Sequence, residues 1–145
     1  PQLDVEKTYD GGDQYYVSKL LLQYFLIEAS KRIDPNKVVI NLVNPGFCYG
    51  SALHRDIPGV FGKVFGGFKR AIGRTCEIGG RPIVKAAVVE GKSSHGQFYS
   101  DNAVTQMVPL TRGAKGEQLS GQVFKEIMAE LKPYNAEETI LSMGP

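Results

Sequence analysis

An apolar run from Tyr15 to Ile33 constrains the fold of this chain more than any other feature of its sequence. Its length is that of a long helix, and Asp13 stands before it as a candidate N-cap. The apolar side chains cover nearly the whole circumference of this helix, which is typical of a helix buried on several sides. We therefore expect neighbouring elements on both of its faces. The residues concerned are Tyr16, Val17, Leu20, Leu21, Leu22, Tyr24, Phe25, Leu26 and Ile27.

A β-branched run from Val38 to Val43 follows this helix, after a break at Asp34-Pro35-Asn36. A strand that is apolar on both faces is typical of a parallel sheet covered by helices. The run ends at Asn44-Pro45-Gly46, which predicts a sharp loop at the carboxyl end of the strand. Ligands bind at that edge in open α/β sheets. The pattern predicts an α/β fold, and the chain length suits one domain over residues 1–145.

Further elements follow from the same kinds of pattern. A segment from Gly59 to Gly73 has apolar residues at helical spacing and several glycines, and we interpret it as a mobile helical lid. A further helix is predicted from about Cys76 to Glu90, with Thr75 as its N-cap and Pro82 in its early turns; its apolar face consists of Ile83, Val84, Ala87 and Val88. A short strand is predicted at Gly96-Gln97-Phe98-Tyr99. The last predicted element is an amphipathic helix from Glu117 to Leu131, which ends before Pro133.

Charge and cysteine content exclude several classes of function. The net charge is +2 and no Lys/Arg run occurs, so no nucleic-acid partner is expected. No apolar stretch reaches the roughly 18 residues of a membrane span. Cys48 and Cys76 lack the spacing of metal ligands, which predicts two reduced and mostly buried thiols, no metal site and a cytoplasmic protein. Because the first residue is Pro, we expect the natural polypeptide to extend upstream.

Tyr15 and Lys19 are the residues whose spacing points to chemistry. Four residues apart on a helix, their side chains lie on the same face. A phenol ordinarily titrates at about 10, and a nearby ammonium favours its ionised form. The pair therefore predicts that Tyr15 is a general acid or base assisted by a cation. Tyr16 is three residues from Lys19, and its apolar neighbours favour core packing.

The pair opens the long helix as Tyr15-Tyr16-Val17-Ser18-Lys19, and the loop Asn44-Pro45-Gly46-Phe47-Cys48 follows the next strand. In this order the chain resembles the short-chain dehydrogenase/reductase family, and residues 92–101 with the last amphipathic helix are similar to the C-terminal region of its fungal members. The resemblance implies the C-terminal half of a Rossmann-type doubly wound parallel sheet. It also implies hydride exchange between a nicotinamide cofactor, NADP or NAD, and a small carbonyl or alcohol substrate.

The same resemblance implies a role for each matching residue. Tyr15 would pass a proton to or from the substrate oxygen. Lys19 would bind the nicotinamide ribose and favour the phenolate form of Tyr15. The loop residues Asn44, Pro45, Gly46, Phe47 and Cys48 would run along the nicotinamide.

Two departures from the family pattern concern the cofactor and the substrate. No Gly-rich strand-to-helix turn occurs to hold a pyrophosphate. The only hydroxyl in residues 1–14 apart from tyrosine is Thr8, whose Asp/Gly-rich surroundings do not suit a strand, and Ser51 is the nearest hydroxyl after the Pro-Gly pair. We therefore expect a missing N-terminal half or a second copy to complete the site, and the isolated chain to associate as a homo-oligomer.

Two alternative functions stay open on the residues alone. In the first alternative, the chain is a redox-inactive relative of this family that acts as a cyclase or isomerase, with Tyr15 as an acid. In the second, it is a non-enzymatic half-domain that pairs with another chain. Binding of NADP(H) and turnover of a carbonyl compound separate the oxidoreductase from both.

Overall fold

The computed structural model describes residues 10–52 and 59–145, whose elements belong to two units. The first unit contains residues 10–40 together with Gln106–Pro145, and it is helical. The second unit, Asn41–Thr105, contains every strand of the described residues. The predicted combination of helices and strands is thus confirmed as an α/β fold.

The long predicted helix is α1, Gly11–Ser30. Its N-cap is Asp10, whose carboxylate accepts hydrogen bonds from the backbone N–H groups of Gly12 (2.8 Å) and Asp13 (3.1 Å). The prediction that Asp13 caps the helix is therefore wrong. Asp13 lies in the first turn, where its negative charge interacts favourably with the positive end of the helix dipole. The helix also ends before the predicted Ile33.

The core of the first unit forms where α1 meets α4, Gly113–Glu130. Ala29, Ile33 and Phe124 are its buried members, and the ring of Phe25 stacks on that of Phe124 with centroids 5.5 Å apart. The final helix, α5 (Ala136–Ser142), packs Ile140 against this core. α4 begins four residues before the predicted Glu117.

Burial of α1 is confined to its C-terminal half. Tyr15 is 41% exposed and Tyr16 is 71% exposed, so the prediction of burial on all sides is wrong for the first half of the helix, and in the second half Leu22 is 45% exposed. The prediction that Tyr16 packs in the core is also wrong, because its side chain is exposed. Two polar side chains of α1 instead hold the segment before α4: Gln23 accepts from the Val108 N–H at 3.0 Å, and the Tyr24 hydroxyl donates to the Leu110 carbonyl at 3.0 Å.

Glu28 is a buried carboxylate on α1. Lys31 Nζ lies 2.7 Å from its Oε1 and Arg32 Nη1 2.6 Å from its Oε2, and the Ser120 hydroxyl of α4 donates to Oε1 at 3.2 Å. Burial by itself would raise the pKa of Glu28, but the hydrogen bonds and charges of Lys31 and Arg32 outweigh it and hold the pKa below its ordinary value.

The lowered pKa predicts that acid destabilises the protein through Glu28. The unfolded chain binds this proton at about pH 4.3, and the folded chain only at lower pH, so the contribution is fully present above that value and is lost as the pH falls below it. Urea unfolding between pH 7 and pH 3 should show a smaller loss of stability in Glu28→Gln than in the wild type. At pH 7 the same variant should be less stable by about 1–3 kcal/mol. Glu130→Gln, an exposed control on α4, should follow the wild-type pH dependence, and equal acid sensitivity in all three proteins would contradict the assignment.

Gly116 in the first turns of α4 predicts a second stability effect. A Cβ added there would lie 2.3 Å from the Thr111 carbonyl carbon and 2.5 Å from its oxygen, both backbone atoms. Gly116→Ala should therefore lower the free energy of unfolding by about 1–3 kcal/mol. Gly121 of the same helix has open space around it, so Gly121→Ala should raise stability by about 0.5–1 kcal/mol. Thermal unfolding measures both, and a shift of the same sign in the two variants would refute the packing argument.

The sheet of the second unit has the order β1-β4-β5. β1 (Leu42–Asn44) pairs in parallel with β4 (Phe98–Ser100), with Leu42 opposite Phe98, and β4 pairs antiparallel with β5 (Ala103–Thr105). Parallel pairing is as predicted, whereas β1 begins four residues after the predicted Val38. β5 was not predicted; Asp101 and Asn102 form the intervening turn with φ angles of +52° and +63°. The doubly wound arrangement stays a prediction.

A second parallel pair joins β2 (Cys48–Tyr49) to β3 (Arg74–Thr75). Between them lies α2, Gly59–Ile72, which confirms the predicted helix; its movement as a lid stays a prediction. Directly after β3 begins α3, Cys76–Val84, which continues as a π-helical turn over Lys85–Val89.

Thr75 caps α3 as predicted, since its hydroxyl accepts a hydrogen bond from the Ile78 N–H at 3.2 Å. The predicted apolar face is wrong: Val84 and Val88 are 60% and 74% exposed, and Ile83 is half exposed. The buried positions are Gly79, Pro82 and Ala86. At Gly79 the absence of a side chain lets the helix approach the Pro45–Cys48 loop closely, so this position, and not the larger apolar residues, faces the loop.

A buried tyrosine marks the interior of the second unit. Tyr99 of β4 is only 3% exposed, and burial, together with the negative charge of Glu90, raises the pKa of its phenol. Beside it, the Asn41 amide donates to the Ala86 carbonyl (3.1 Å) and to the Ser94 hydroxyl (3.0 Å).

None of the helices in residues 10–52 and 59–145 is long and apolar enough to cross a membrane. In the same part of the chain, no three His, Cys, Asp or Glu side chains cluster as metal ligands would. Cys48 and Cys76 are free thiols, but Cys48 is half-buried and Cys76 is exposed, so the prediction that they are mostly buried is wrong.

Candidate active site

Tyr15 and Lys19 lie in the first half of α1, and the structure brings their side chains together. The Lys19 ammonium is 5.2 Å from the centre of the Tyr15 ring. Tyr15 is 41% exposed, so the phenol is accessible. The contact is that of a cation over an aromatic ring, and it places the ammonium and the phenol on the same exposed face of the helix.

Tyr16 lies next to this pair without sharing its contact to Lys19. Its ring meets the Tyr15 ring edge-on, with centroids 5.7 Å apart and an angle of 74° between the planes. Ser18, between Tyr15 and Lys19, donates its hydroxyl to the Tyr15 carbonyl at 2.7 Å. The helical spacing thus selects Tyr15, and not Tyr16, as the partner of the ammonium.

The loop Asn44–Cys48 is held in shape by its first residue. The Asn44 side-chain oxygen accepts from the Gly46 N–H at 3.0 Å, which closes a tight turn around Pro45. The amide nitrogen of Asn44 donates to the Ser100 hydroxyl on β4 at 3.3 Å. One asparagine therefore fixes the turn and ties it to the neighbouring strand.

Gly46 is the one position in this loop with a left-handed backbone, at φ +76°. A Cβ there would lie 2.8 Å from the guanidinium carbon of Arg74. Arg74 is itself fixed by an ion pair with Asp101, with Nη2 and Oδ1 2.5 Å apart. The loop backbone therefore packs directly on a charged pair, and the left-handed dihedral angle of Gly46 is what requires glycine.

Gly79 brings α3 against the other end of the loop. A Cβ on Gly79 would fall 2.3 Å from Cys48 Sγ and 3.1 Å from the Pro45 carbonyl oxygen. That carbonyl also accepts a weak hydrogen bond from the Cys48 thiol at 3.5 Å. The close approach of helix and loop depends on the absence of a side chain at this position.

A cavity of about 280 Å³ opens between the loop and α3. Pro45, Gly46, Phe47 and Cys48 form one wall, and the other lining residues are Ser51, Cys76, Gly79, Gly80 and Ile83. The volume is that of a site for one small ring, and the walls are largely backbone and apolar side chain. The Phe47 ring is covered by α2, where it meets Phe65 edge-on at 6.0 Å and lies 5.5 Å from the Lys69 ammonium.

The candidate residues thus form two groups. Tyr15 and Lys19 belong to the first unit, and the loop from Asn44 to Cys48 belongs to the second. Ser51 lines the cavity and donates its hydroxyl to the Cys48 carbonyl at 3.2 Å, whereas Thr8 lies outside the described residues.

Three residues that support the loop, Gly79, Arg74 and Ser100, were not identified from the sequence. The Gly79-Gly80 pair inside a predicted helix is a signal that could have been used, since glycine in a helix is unfavourable unless another element approaches closely. Arg74 left no comparable signal, because its partner Asp101 is 27 residues away. Ser100 likewise meets Asn44 only through strand pairing.

Comparison with known proteins identifies several relatives. A short-chain dehydrogenase of Aspergillus ruber is 38% identical over 138 residues, which are 93% of this chain and 40% of the relative. A short-chain dehydrogenase/reductase of Annulohypoxylon moriforme is 34% identical over 143 residues, 99% of this chain and 42% of the relative. Another from Phaeosphaeria nodorum is 33% identical over 130 residues, 89% and 38% of the two chains.

The chain spans about two fifths of the length of these curated relatives. No protein-family model matches the sequence. No solved structure matches it either.

Proposed function

The chain belongs to the short-chain dehydrogenase/reductase family, and we propose that it supplies the proton-transfer residues and the nicotinamide-contacting loop of an NADP- or NAD-dependent oxidoreductase. The substrate that we propose is a small carbonyl or alcohol compound. The observation that carries the proposal is the Lys19 ammonium 5.2 Å from the Tyr15 ring on an exposed face of α1.

Tyr15 is the proposed proton donor in the direction of carbonyl reduction. Its hydroxyl gives a proton to the substrate oxygen as that oxygen gains negative charge, and in alcohol oxidation the phenolate takes the proton back. Lys19 has two roles in this proposal: its charge stabilises the phenolate that Tyr15 becomes, and its ammonium donates hydrogen bonds to the ribose of the cofactor. The nicotinamide, when bound, supplies or accepts the hydride.

The Asn44–Cys48 loop is the proposed contact for the nicotinamide ring. Two features support this proposal: the neighbouring cavity of about 280 Å³, and Gly79, whose missing side chain lets α3 approach the loop closely. Asn44 holds the loop through its bonds to Gly46 and Ser100, so the backbone is preorganised before a ligand arrives.

The pyrophosphate of the cofactor needs a partner outside these residues. Because the sequence has no Gly-rich strand-to-helix turn, we propose that an N-terminal half of the polypeptide binds it, and that the chain associates with that half or with a second copy of itself. The exposed Tyr16 and Leu22 of α1 support an association of this kind, since large apolar side chains on a helix surface favour contact with another chain or segment.

Isotope transfer tests the proposed function most directly. The intact polypeptide that contains this sequence is supplied with NADPH or NADH carrying deuterium at the reactive ring carbon, together with a panel of small ketones and aldehydes. We expect deuterium on the carbinol carbon of the product, measured by mass spectrometry. Substrate conversion without deuterium transfer would replace the oxidoreductase with the cyclase or isomerase alternative. Absence of cofactor binding and of turnover would favour the non-enzymatic half-domain.

A further inference from the structure

A second and larger cavity, of about 700 Å³, lies in the first unit between the end of α1, the second half of α4 and α5. None of the candidate active-site residues lines it. We propose that this groove binds a small molecule with an aliphatic chain and a single carboxylate. Its volume falls in the range of small-molecule sites in proteins.

The walls of the groove are fixed by contacts at the C-terminal end. The backbone N–H of Asp34 donates to the Met143 carbonyl at 2.8 Å, and Lys37 Nζ donates to the Gly144 carbonyl at 2.5 Å. Between α4 and α5 the chain reverses at Asn135, which has a φ of +54°. α5 is therefore tied to the segment after α1, so that the groove exists before any ligand binds.

The floor of the groove is apolar. Phe124 and Met128, one turn apart on α4, and Ile140 of α5 belong to the core of the unit and also line the groove. Leu141 lines it too and is 73% exposed, although it is a large apolar side chain. An aliphatic chain bound here would remove this apolar surface from water, which favours binding.

The charges around the floor select the head group. Arg32, Lys125 and Lys132 carry three positive charges, and Glu137 and Glu138 carry two negative ones, so the lining has an excess of one positive charge. Among the described residues, the Arg32 hydrogen bonds to Glu28 use Nη1 alone, and the guanidinium lies 4.4 Å from the centre of the Phe124 ring. The guanidinium therefore lies over a ring that forms part of the apolar floor. One carboxylate matches this arrangement, whereas the two glutamates disfavour a more highly charged anion.

Calorimetric titration of the full polypeptide with decanoate, below its micelle concentration, tests the proposal. We expect saturable binding of decanoate, and at least about tenfold weaker binding of decanol, which has the same chain without the charge. Decanol binding as tightly as decanoate would overturn the assigned head group. Absence of saturable binding of either compound would overturn the site.

Variants locate the site on the molecule. Lys125→Glu/Lys132→Glu reverses two exposed charges of the lining, and Leu141→Asp places a carboxylate on the apolar floor; each should weaken decanoate binding at least about tenfold. Lys115→Glu, on α4 outside the groove, is the matched control and should bind as the wild type does. Circular dichroism confirms the folding of each variant, and Leu141→Asp stands alone if the double variant does not fold. Equal affinity in Leu141→Asp and Lys115→Glu would refute the groove as the binding site.

Discussion

Tyr15→Phe should lower kcat of the intact enzyme on the order of 100-fold or more, while the affinity for NADP(H) or NADH stays nearly unchanged. The substitution removes the transferable proton and leaves the ring, so the helix and the 5.2 Å contact with Lys19 persist. Steady-state kinetics measures kcat, and fluorescence titration of the reduced cofactor measures its affinity.

Tyr16→Phe is the matched control for this experiment. It removes the same hydroxyl from the neighbouring residue, which is 71% exposed. We expect near wild-type kcat from Tyr16→Phe. If Tyr15→Phe retained near wild-type activity, or if the two variants lost activity equally, Tyr15 would not be the proton donor.

Lys19→Met should lower kcat/KM for the cofactor on the order of 100-fold, because it removes both the ribose contact and the charge that stabilises the phenolate. In contrast to Tyr15→Phe, this change should weaken cofactor binding and reduce kcat together. The split between the two kinetic constants therefore distinguishes the role of Lys19 from that of Tyr15.

Two further variants control for this result. Lys19→Arg keeps a positive charge but changes its geometry, and it should recover part of the loss. Lys115→Met, an exposed lysine on α4, should leave the kinetics unchanged. Cofactor affinity in Lys19→Met equal to that of the wild type would show that Lys19 is a surface residue of α1 and no part of the cofactor site.

The elements that could be predicted from the sequence are those set by neighbouring residues. Helical periodicity located α1, α2, α3 and α4, and Thr75 caps α3 because its hydroxyl reaches a backbone N–H only three residues ahead. The Tyr15–Lys19 contact follows from helix geometry in the same way. The predicted N-cap of α1 was wrong because two nearby residues, Asp10 and Asp13, are both suitable capping residues. The two hydrogen bonds that the Asp10 carboxylate accepts identify Asp10 as the cap.

Burial was the property that could be predicted least well. Apolar residues on α3 were expected to face inward, yet Val84 and Val88 are exposed while Gly79, Pro82 and Ala86 are buried. Hydrophobicity favours burial, but side-chain volume limits how closely two elements can pack, and the approach of α3 to the loop at Pro45 and Cys48 requires a glycine at position 79. β5 was not predicted for a different reason: its three residues gain their hydrogen-bond partners only by pairing with β4.

The sequence by itself determined the α/β class, the family resemblance and the Tyr15–Lys19 pair, since each depends on residue types at short, fixed spacings. Only the tertiary structure decided how the Asn44–Cys48 loop is supported and where the charged groups lie. The Arg74–Asp101 ion pair joins residues 27 apart, and Ser120 reaches Glu28 across 92 residues. A hydrogen bond between distant residues forms only after packing has brought them within about 3 Å, and many arrangements of the same elements would satisfy the local pattern equally well.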